Sequence, residues 1–501
     1  MKKKISAPSM IKVKTGINGL DHILTGGLPD GRPTLVCGGA GCGKTLLAME
    51  FLVNGARNFD EPGVFFSFEE SEAELIMNFS PLNYDLADLI KNDQLRIDCI
   101  QIERSEIEET GEYDLEGLFV RLEQSIDEIG AKRVVLDTIE ALFSGLNNQS
   151  VLRSEIRRLF RWLKFKGVTA IITGEKGEGI LTRQGLEEYV SDCVIFLDHR
   201  ITEEISTRRI RIVKYRGSVH GTDEYPFLID SSGFSVIPVS AMTLDHSASS
   251  ERVSSGIRDL DEMLGGKGYY KGSSILISGL AGTGKTSVSA SFAEASCQRG
   301  EKTLLFCFEE SQEQLFRNME SIGINLSKWE KKGILKVIAK RPSFYGIEMH
   351  LLQMFKTIET FSPSCIVVDP ISNMVSAGKF NEIRAMMMRL IDILKSRNIT
   401  SVFTSLNTAN TGTEDSDGGV SSLIDTWISV RQVATNNEQN RALCILKSRG
   451  MPHSTKIREF TMTTDGIKLI PIHSSSAGVL TGGARRADQA ARASREPQKD
   501  Q

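Results

Sequence analysis

Two stretches of this 501-residue sequence have a spacing that suits phosphate binding. Each reads Gly-x-x-x-x-Gly-Lys-Thr between a short apolar run and an amphipathic stretch, so each predicts a phosphate loop that joins a strand to a helix. In such a loop, backbone N–H groups converge on phosphate oxygens, the lysine reaches the β- and γ-phosphates, and the threonine ligates Mg²⁺. We therefore expect two sites for ATP and Mg²⁺. The predicted nucleotide contacts are Gly38, Gly41, Cys42, Gly43, Lys44 and Thr45, and Gly279, Gly282, Thr283, Gly284, Lys285 and Thr286.

An aspartate ends a later apolar run in each half, at Asp137 and Asp369. An acidic residue at a strand end is often only a helix cap or a solvated carboxylate. After a phosphate loop, the same position is that of the Walker B aspartate, which completes the Mg²⁺ shell. The predicted metal ligands are Thr45, Asp137, Thr286, Glu309 and Asp369.

Paired glutamates follow the strand after each phosphate-loop helix, as Glu69-Glu70 and Glu309-Glu310. The carboxyl ends of parallel strands face the ligand crevice, where a carboxylate can orient or deprotonate an attacking water or hydroxyl. The competing interpretation is a solvated acidic pair that starts a helix. A catalytic glutamate on the strand after the phosphate loop is the RecA-type arrangement, so we predict catalytic roles for all four.

Cations recur near the end of each half, with a histidine six residues after each lysine. On a strand, Lys-x-Arg places both cations on one face. In ring ATPases such cations often reach the nucleotide of the next subunit. The alternative is a hairpin whose exposed charges aid solubility. The predicted additional nucleotide contacts are Lys214, Arg216, His220, Lys447, Arg449 and His453.

The elements that position these residues occur twice, because the motifs of the first half return in the same order 232 to 241 residues later. Short apolar runs alternate with longer amphipathic stretches, which is typical of an α/β fold with a parallel sheet. We predict two tandem RecA-like domains, each a mostly parallel twisted sheet flanked by helices. The predicted domains are 1–245 and 253–473, with a polar linker near 241–252 and a flexible tail at 474–501.

Five apolar runs of the first half predict buried parallel strands, and two amphipathic stretches predict helices. The predicted strands are Pro33–Cys37, Val64–Phe68, Val134–Asp137, Val168–Ile172 and Val194–Leu197, and the predicted helices are Thr45–Asn58 and Ser154–Lys166.

The composition excludes several classes of protein. Charged residues make up 25% of the chain and the net charge is −4, which argues against a nucleic-acid or membrane-surface protein. No apolar run reaches the ~18 residues of a membrane span, and the basic start lacks the apolar core of a secretory signal. The eight cysteines are scattered without a Cys-x-x-Cys pair. These features predict a cytoplasmic protein with reduced thiols.

Residues 11–473 resemble the KaiC family, the double-domain RecA-like ATPases and autokinases of cyanobacterial circadian clocks, which have relatives in other bacteria and archaea. The resemblance lies in the paired phosphate loops, both Phe-Glu-Glu-Ser segments, Lys-x-Arg-Gly-x-x-His in each half, and Ile457–Phe460 near the end. It implies a homohexamer of two stacked rings with ATP at each subunit interface. It also implies a slow ATPase in the N-terminal ring, and a kinase and phosphatase in the C-terminal ring.

The resemblance also assigns roles to individual residues. Glu69 becomes the ATPase base and Glu309 the base that activates a phosphoacceptor hydroxyl, with Glu70 and Glu310 in support. Ser421 and Ser422 fall on the phosphorylated pair. The resemblance implies further copies of the chain as partners, and the other partners that we predict are a KaiB-like protein, a histidine kinase or a response regulator.

The chain departs from the clock proteins at several of these positions. Ser422 stands where they carry threonine, Pro370 follows the second Walker B aspartate without a hydroxyl, and Met451-Pro452 replaces Ser-Trp. Cys42 lies inside a phosphate loop, where it predicts sensitivity to oxidation. The tail after Gly478 differs, so the partner that it binds is left open.

Two other functions compete with an autokinase. A RecA-like nucleic-acid-dependent ATPase needs basic loops after Walker B, yet the loop after Asp369 holds a single lysine. A nucleotide-gated scaffold would bind ATP, assemble and recruit a partner without kinase activity. Loss of Glu309 would abolish an autokinase and spare such a scaffold.

Overall fold

The computed structural model describes residues 10–82, 84–100, 116–142, 149–177, 181–182, 185, 190–202, 205–236, 249–341, 347–373, 380–406, 422–435 and 438–471. The chain divides between Ala241 and Met242 into two compact units, called here the first and second domains. Most of the predicted linker and the whole of the predicted tail at 474–501 lie outside the described residues.

The first domain is built on one mixed sheet and a separate two-stranded sheet. Its strands are β1 (Lys12–Val13), β2 (Leu28–Pro29), β3 (Pro33–Gly38), β4 (Gly63–Ser67), β5 (Leu95–Cys99), β6 (Arg133–Asp137), β7 (Thr169–Glu175), β8 (Cys193–Thr202), β9 (Ile205–Tyr215), β10 (Glu224–Asp230) and β11 (Gly233–Val236). Its helices are α1 (Leu20–Ile23), α2 (Lys44–Phe59), α3 (Glu72–Phe79), α4 (Leu86–Lys91), α5 (Glu116–Ile129), α6 (Ile139–Leu142) and α7 (Gln149–Lys166), with a 3₁₀ turn at Ser80–Leu82.

The second domain repeats this plan. Its strands are β12 (Arg252–Val253), β13 (Tyr269–Tyr270), β14 (Ser274–Gly279), β15 (Thr303–Cys307), β16 (Leu335–Ala339), β17 (Cys365–Asp369), β18 (Thr400–Leu406), β19 (Thr426–Thr435), β20 (Glu438–Ser448), β21 (Arg458–Thr463) and β22 (Gly466–Pro471). Its helices are α8 (Arg258–Met263), α9 (Lys285–Gln298), α10 (Gln312–Glu320), α11 (Leu326–Lys331), α12 (Ile347–Phe361) and α13 (Phe380–Ser396).

The two large sheets share one topology. The strand order is β5-β4-β6-β7-β3-β8-β9-β10-β11 in the first and β16-β15-β17-β18-β14-β19-β20-β21-β22 in the second. The first six strands of each order run parallel and the last three form an antiparallel meander. The chain therefore folds as two tandem RecA-like α/β domains, as predicted.

Helices cover both faces of the first sheet, which explains why its inner parallel strands, such as β3 and β4, are largely apolar. Val36 on β3 packs in the same apolar cluster as Leu47 and Phe51 of α2. Its neighbour Leu35 points to the other face and packs in the cluster that holds Leu122 of α5. Successive residues of a strand point to opposite faces, so a strand buried on both sides has no polar alternation.

All five predicted strands and both predicted helices of the first half are present, with ends that differ by a few residues. The largest difference in a helix is at α7, which begins at Gln149 rather than Ser154. The largest in a strand is at β8, which runs on to Thr202. There the long hairpin with β9 extends the ladder beyond the apolar run that predicted it.

Candidate functional site

The first phosphate loop connects the carboxyl end of β3 to the amino end of α2. Gly43 precedes the helix with φ 100°, a conformation that favours glycine, and no side chain caps the helix. Its first N–H groups therefore remain available to a phosphate. A Cβ on Gly38 would lie 2.4 Å from the carbonyl oxygen of Leu197, so the loop starts where only glycine fits.

The lysine of each loop is buried against the loop itself. Lys44 Nζ donates to the carbonyls of Gly38 and Gly39 at 3.0 Å each. Lys285 Nζ donates to the carbonyls of Gly279 at 3.0 Å and Leu280 at 2.8 Å. Burial lowers the pKa of Lys285. Each ammonium group is thus held over its loop by carbonyl oxygens, in position to meet phosphate oxygens.

Cys42 and Thr283 occupy equivalent positions but behave differently. Cys42 is fully buried, and burial raises the pKa of its thiol. Thr283 Oγ1 donates to the carbonyl of Leu280 at 2.8 Å, which closes the second loop from within. The thiolate is the form that oxidises readily. A buried thiol with a raised pKa argues against the oxidation sensitivity predicted for Cys42.

The Walker B aspartates lie beside the threonines of the loops. Asp137 accepts hydrogen bonds from the hydroxyls of Thr173 and Thr45. Asp369 accepts from Thr404 and Thr286 in the same way. Burial raises the pKa of both aspartates. The structure therefore brings together the threonine and aspartate predicted for each metal site.

The predicted bases follow the strand that pairs with the Walker B strand. Ser67, the last residue of β4, pairs with Asp137, and the N–H of Phe68 donates to the carbonyl of Asp137 at 3.0 Å. β4 and β15 each end two residues before the first glutamate of their domain. Glu69 and Glu309 therefore lie just past the carboxyl end of the strand and are exposed. The hydroxyl of Thr138 donates to Glu69 Oε1 at 3.3 Å.

The second glutamate of each pair is held by an asparagine from the helix that follows. Asn78 Nδ2 donates to Glu70 Oε1 at 3.0 Å, and Asn318 Nδ2 donates to Glu310 Oε1 at 3.2 Å. Burial, followed by the charge of Asp137, raises the pKa of Glu70. These contacts fix Glu70 and Glu310, whereas the first glutamate of each pair is exposed.

The serine of the repeated Phe-Glu-Glu-Ser segment has a structural role. Ser71 accepts from the N–H of Glu74 and its own N–H donates to the Glu74 carboxylate, which forms a capping box at the start of α3. Ser311 and Gln314 form the same box at α10. Such boxes stabilise a helix start by about 1 kcal/mol. They fix the direction in which the chain leaves the glutamates.

The Lys-x-Arg cations lie at the other end of the sheet from the phosphate loop of their own domain. The N–H of Arg216 donates to the carbonyl of Asp192, whose N–H donates to the carbonyl of Pro33, the first residue of β3. Gly38 is five residues further along that strand, roughly 16 Å away. Lys214 pairs with Val194 near the same end. The structure therefore does not bring these cations to their own phosphate loop.

The end of this segment differs from the predicted strand in both domains. β9 ends at Tyr215 and β20 ends at Ser448, so Arg216 and Arg449 lie in the turns that follow. The lysines remain within the strands. A histidine follows each lysine by six residues and contacts a carbonyl oxygen through Nδ1. The distance is 3.0 Å from His220 to Gly221 and 3.5 Å from His453 to Met451.

The predicted phosphoacceptor segment enters the structure at Ser422, while Ser421 lies outside the described residues. Ser422 is exposed and lies four residues before β19. A guanidinium N–H of Arg449 donates to its carbonyl at 2.6 Å. The acceptor segment and the Lys-x-Arg cations of the second domain therefore lie at one end of the sheet.

Comparison with known proteins places this duplicated site in a family. The protein-family model described as "ATPase: KaiC" matches residues 13–241 and again 253–474. The chain belongs to the KaiC ATPase family. It is 54% identical over 479 residues to the circadian clock protein KaiC2 of a Synechocystis species, an alignment that covers 95% of this chain and 84% of that protein.

Clock oscillator proteins of the family are more distant. The circadian clock oscillator protein KaiC of Parathermosynechococcus lividus is 38% identical over 478 residues, with 95% of this chain and 88% of that protein covered. That of Thermosynechococcus vestitus is 38% identical over 484 residues, with 96% and 93% covered. Membership in this ATPase family implies that the chain binds a nucleotide.

The structure adds two arginines that the sequence analysis missed. Arg441 on β20 donates through Nε to the carbonyl of Gly282 in the second phosphate loop, at 3.3 Å. Its counterpart Arg208 on β9 lies close enough to Cys42 for its charge to oppose the rise in the thiol pKa. The motif repeats were the signal that could have found them, since both arginines precede the Lys-x-Arg lysine by six residues.

The residues of this KaiC-family site suit a magnesium ion that is shared with a nucleotide. Thr45 and Asp137 present a hydroxyl and a carboxylate within hydrogen-bond distance, and Thr286 and Asp369 do the same. Such oxygen donors suit Mg²⁺, which is usually bound by one or two protein ligands together with phosphates and water. Among the described residues, no three His, Cys, Asp or Glu side chains cluster to hold a metal by themselves.

Within the described part of the chain, no helix has the length and apolar character needed to cross a bilayer.

Proposed function

We propose that the protein binds and hydrolyses ATP in both domains and phosphorylates itself across the subunit interfaces of a homohexamer. Residues 1–245 form a slow ATPase. Residues 253–473 form a serine autokinase and phosphatase whose acceptors are Ser421 and Ser422. One observation carries the proposal. Within each domain the phosphate loop lies at one end of the sheet, and the Lys-x-Arg cations, together with Ser422 in the second domain, lie at the other.

Transfer has to occur between subunits because of this separation. Ser422 is level with the amino end of β14, since the N–H of Asp425, three residues later, donates to the carbonyl of Ser274. The phosphate loop begins at Gly279, roughly 16 Å further along β14. A phosphate held by that loop is out of reach of Ser422 in the same domain. A neighbouring copy that presents its amino end to the loop supplies the serine and the cations together.

The transfer step uses Glu309 as the base. The serine Oγ bonds to the γ-phosphorus of ATP as the bond from that phosphorus to the ADP oxygen breaks, and the hydroxyl proton passes to the Glu309 carboxylate. Among the described residues Glu309 has no hydrogen-bond donor, whereas Glu69 is held by Thr138, and Pro370 replaces that threonine in the second domain. Glu309 is therefore open to an incoming hydroxyl, and Glu69 serves as the base for the attacking water in the first domain.

Cations complete the site on both sides of the transferred phosphate. Lys285 neutralises phosphate charge from within the loop, and Lys447 and Arg449 of the neighbouring copy neutralise it from outside. Thr286 and Asp369, with Glu309 close by, would hold Mg²⁺, which would compensate negative charge on the phosphates. His220 and His453 support the same face of the interface.

The setting of the activity is proposed from the relatives, which are named as circadian clock proteins. We propose a cytoplasmic signalling protein that responds to circadian or other cues. Its partners beyond its own copies are a KaiB-like protein, a histidine kinase or a response regulator.

Phosphosite mass spectrometry after incubation with ATP and Mg²⁺ tests the proposal. Phosphate on Ser421 or Ser422 is expected in the parent protein, and Glu309→Gln should lower its rate of appearance by about 10²-fold or more. Glu313→Gln is the matched control, because Glu313 is an exposed acid in the first turn of α10. ATP hydrolysis without any phosphoserine would overturn the autokinase and favour the scaffold.

A further inference from the structure

One residue, Asp425, links the acceptor segment of the second domain to a lysine and to the turn that carries Arg449. Asp425 Oδ2 accepts from the N–H of Ser274 at 2.9 Å and from its hydroxyl at 3.0 Å. Lys395 at the end of α13 donates to Oδ1 at 2.9 Å. The main-chain carbonyl of Asp425 accepts from the N–H of Arg449 at 2.8 Å. The side chain and main chain of one residue thus join β14, α13 and the turn after β20.

The first domain contains the same device around Asp192. Its buried carboxylate lies 2.5 Å from Lys164 Nζ and 3.6 Å from the guanidinium of Arg216, and its main-chain carbonyl accepts from the N–H of Arg216. An aspartate, a helix-end lysine and the arginine of the Lys-x-Arg pair therefore recur together. The repetition indicates a shared role and not a chance surface ion pair.

Each of the two arginine side chains has a contact with a different partner among the described residues. Arg216 places its guanidinium 3.6 Å from the carboxylate of Asp192. Arg449 donates to the carbonyl of Ser422, three residues before Asp425. In the second domain the cation that faces the neighbouring nucleotide is therefore linked directly to the main chain of the acceptor segment.

We propose that Asp425 is a positioning residue that fixes Ser422 and Arg449 as one unit for phosphoryl transfer between subunits. This inference rests on the autokinase proposed above. Lys395 pairs with the Asp425 carboxylate, and Lys447 lies close enough to Asp425, Lys395 and Arg449 to interact with all three charges. The group therefore holds three cations and one carboxylate, and its excess positive charge suits a triphosphate. The carboxylate keeps like charges together before ATP neutralises them.

Mixing subunits assigns the role to one side of the interface. One subunit carries Ser421→Ala and Ser422→Ala and keeps its phosphate loop, and the other carries Lys285→Ala and keeps its serines. Phosphate on the second subunit is expected. Adding Asp425→Asn to that serine-bearing subunit should slow phosphorylation roughly tenfold, the loss of about one charge-assisted hydrogen bond. Adding it to the ATP-holding subunit should leave the rate unchanged.

The outcomes separate the two proposals. No phosphate in the parent mixture overturns transfer between subunits and this inference with it. Phosphate in the mixture, with no effect of Asp425→Asn on the serine-bearing subunit or an equal effect on either subunit, overturns only the positioning role.

The pH dependence of phosphorylation distinguishes loss of the Asp425 charge from a merely structural defect. Burial and the charges of Arg449 and Lys395 lower the pKa of Lys447, and Asp425 opposes them. Removing the Asp425 charge lowers the Lys447 pKa further, so phosphorylation should fall off at a lower alkaline pH in Asp425→Asn. If phosphorylation fell off at the same alkaline pH in Asp425→Asn and in the parent, the proposal would be contradicted.

A second variant and its control test the positioning role even if Asp425→Asn fails to fold. Ser274→Ala deletes one hydrogen bond to the same carboxylate and keeps the backbone one, and it should slow phosphorylation by about threefold. Asp465→Asn is the matched control, because Asp465 is exposed and lies 3.8 Å from Lys468 in the β21–β22 turn. A Ser274→Ala variant with the parent rate would count against the positioning role, even if Asp425→Asn fails to fold.

Discussion

Arg441 touches the second phosphate loop from a strand 159 residues further along the chain, with Nε donating to the Gly282 carbonyl at 3.3 Å. The antiparallel meander brings it there, because β20 pairs with β19, and β19 in turn pairs with β14. The loop is therefore supported by a cation of its own domain as well as by its lysine.

Replacing Arg441 with alanine should weaken ATP binding to the second domain by roughly tenfold, because a cation next to the phosphates and a hydrogen bond to the loop are both lost. Nucleotide titration by calorimetry in a Lys44→Ala background isolates that site. Arg397→Ala is the control, since Arg397 forms an exposed ion pair with Glu359 on the helices. Equal affinities for the two variants would show that Arg441 only stabilises the loop.

The two phosphate-loop lysines should separate the two activities. Lys44→Ala should remove most ATP hydrolysis by the first domain and leave serine phosphorylation measurable, whereas Lys285→Ala should abolish phosphorylation, because each ammonium group lies in its own loop. The number of bound nucleotides per chain should fall from two to one in either variant. Phosphate release and phosphosite occupancy, measured on the same samples, check this. Phosphoserine in the Lys285→Ala protein would contradict it.

Asp137→Asn should stabilise the nucleotide-free protein while it weakens Mg²⁺-dependent hydrolysis. Burial raises the pKa of Asp137, so between its unfolded and folded pKa values the folded state binds more protons than the unfolded state. The free energy of unfolding therefore falls as pH rises through that window. Asparagine does not ionise, so it removes this loss of stability. A gain of about 1 kcal/mol corresponds to a melting temperature about 2–4 °C higher.

Thermal unfolding at two pH values checks the origin of that gain. The difference between Asp137→Asn and the parent should be larger at pH 8 than at pH 5, since the parent carboxyl is more often protonated at the lower pH. A gain that does not depend on pH would point to packing and not to the buried charge.

Cys42 should resist alkylation in the folded protein, because its thiol is fully buried and burial raises its pKa. Mass spectrometry after a short exposure to iodoacetamide should find less modification at Cys42 than at the partly exposed Cys99. Cys42→Thr, which copies Thr283 of the second loop, should keep ATP affinity within about threefold. Rapid labelling of Cys42 would show that the loop opens.

The sequence predicted those parts of the site that lie within short segments. Gly43, Lys44 and Thr45 are adjacent, and Asp137 ends an apolar run, so local pattern was sufficient. Arg441 was missed because an arginine on a polar strand has no local signature. The repeat marks its position, since Arg208 stands at the same distance before its lysine, but only the strand order places Arg441 against Gly282. The link from Arg449 to Ser422 depends on where a turn points the side chain, which motif spacing does not specify.

Each domain has two unlike ends, with the phosphate loop at one and the Lys-x-Arg pair at the other, so copies that engage these ends associate head to tail. Such a contact uses a different surface on each partner and leaves one of each surface free unless a ring closes. A copy with one damaged end would therefore act as a chain terminator in one direction only. An assembly built in this way has a polarity, and substoichiometric amounts of either kind of defective copy should block it from opposite sides.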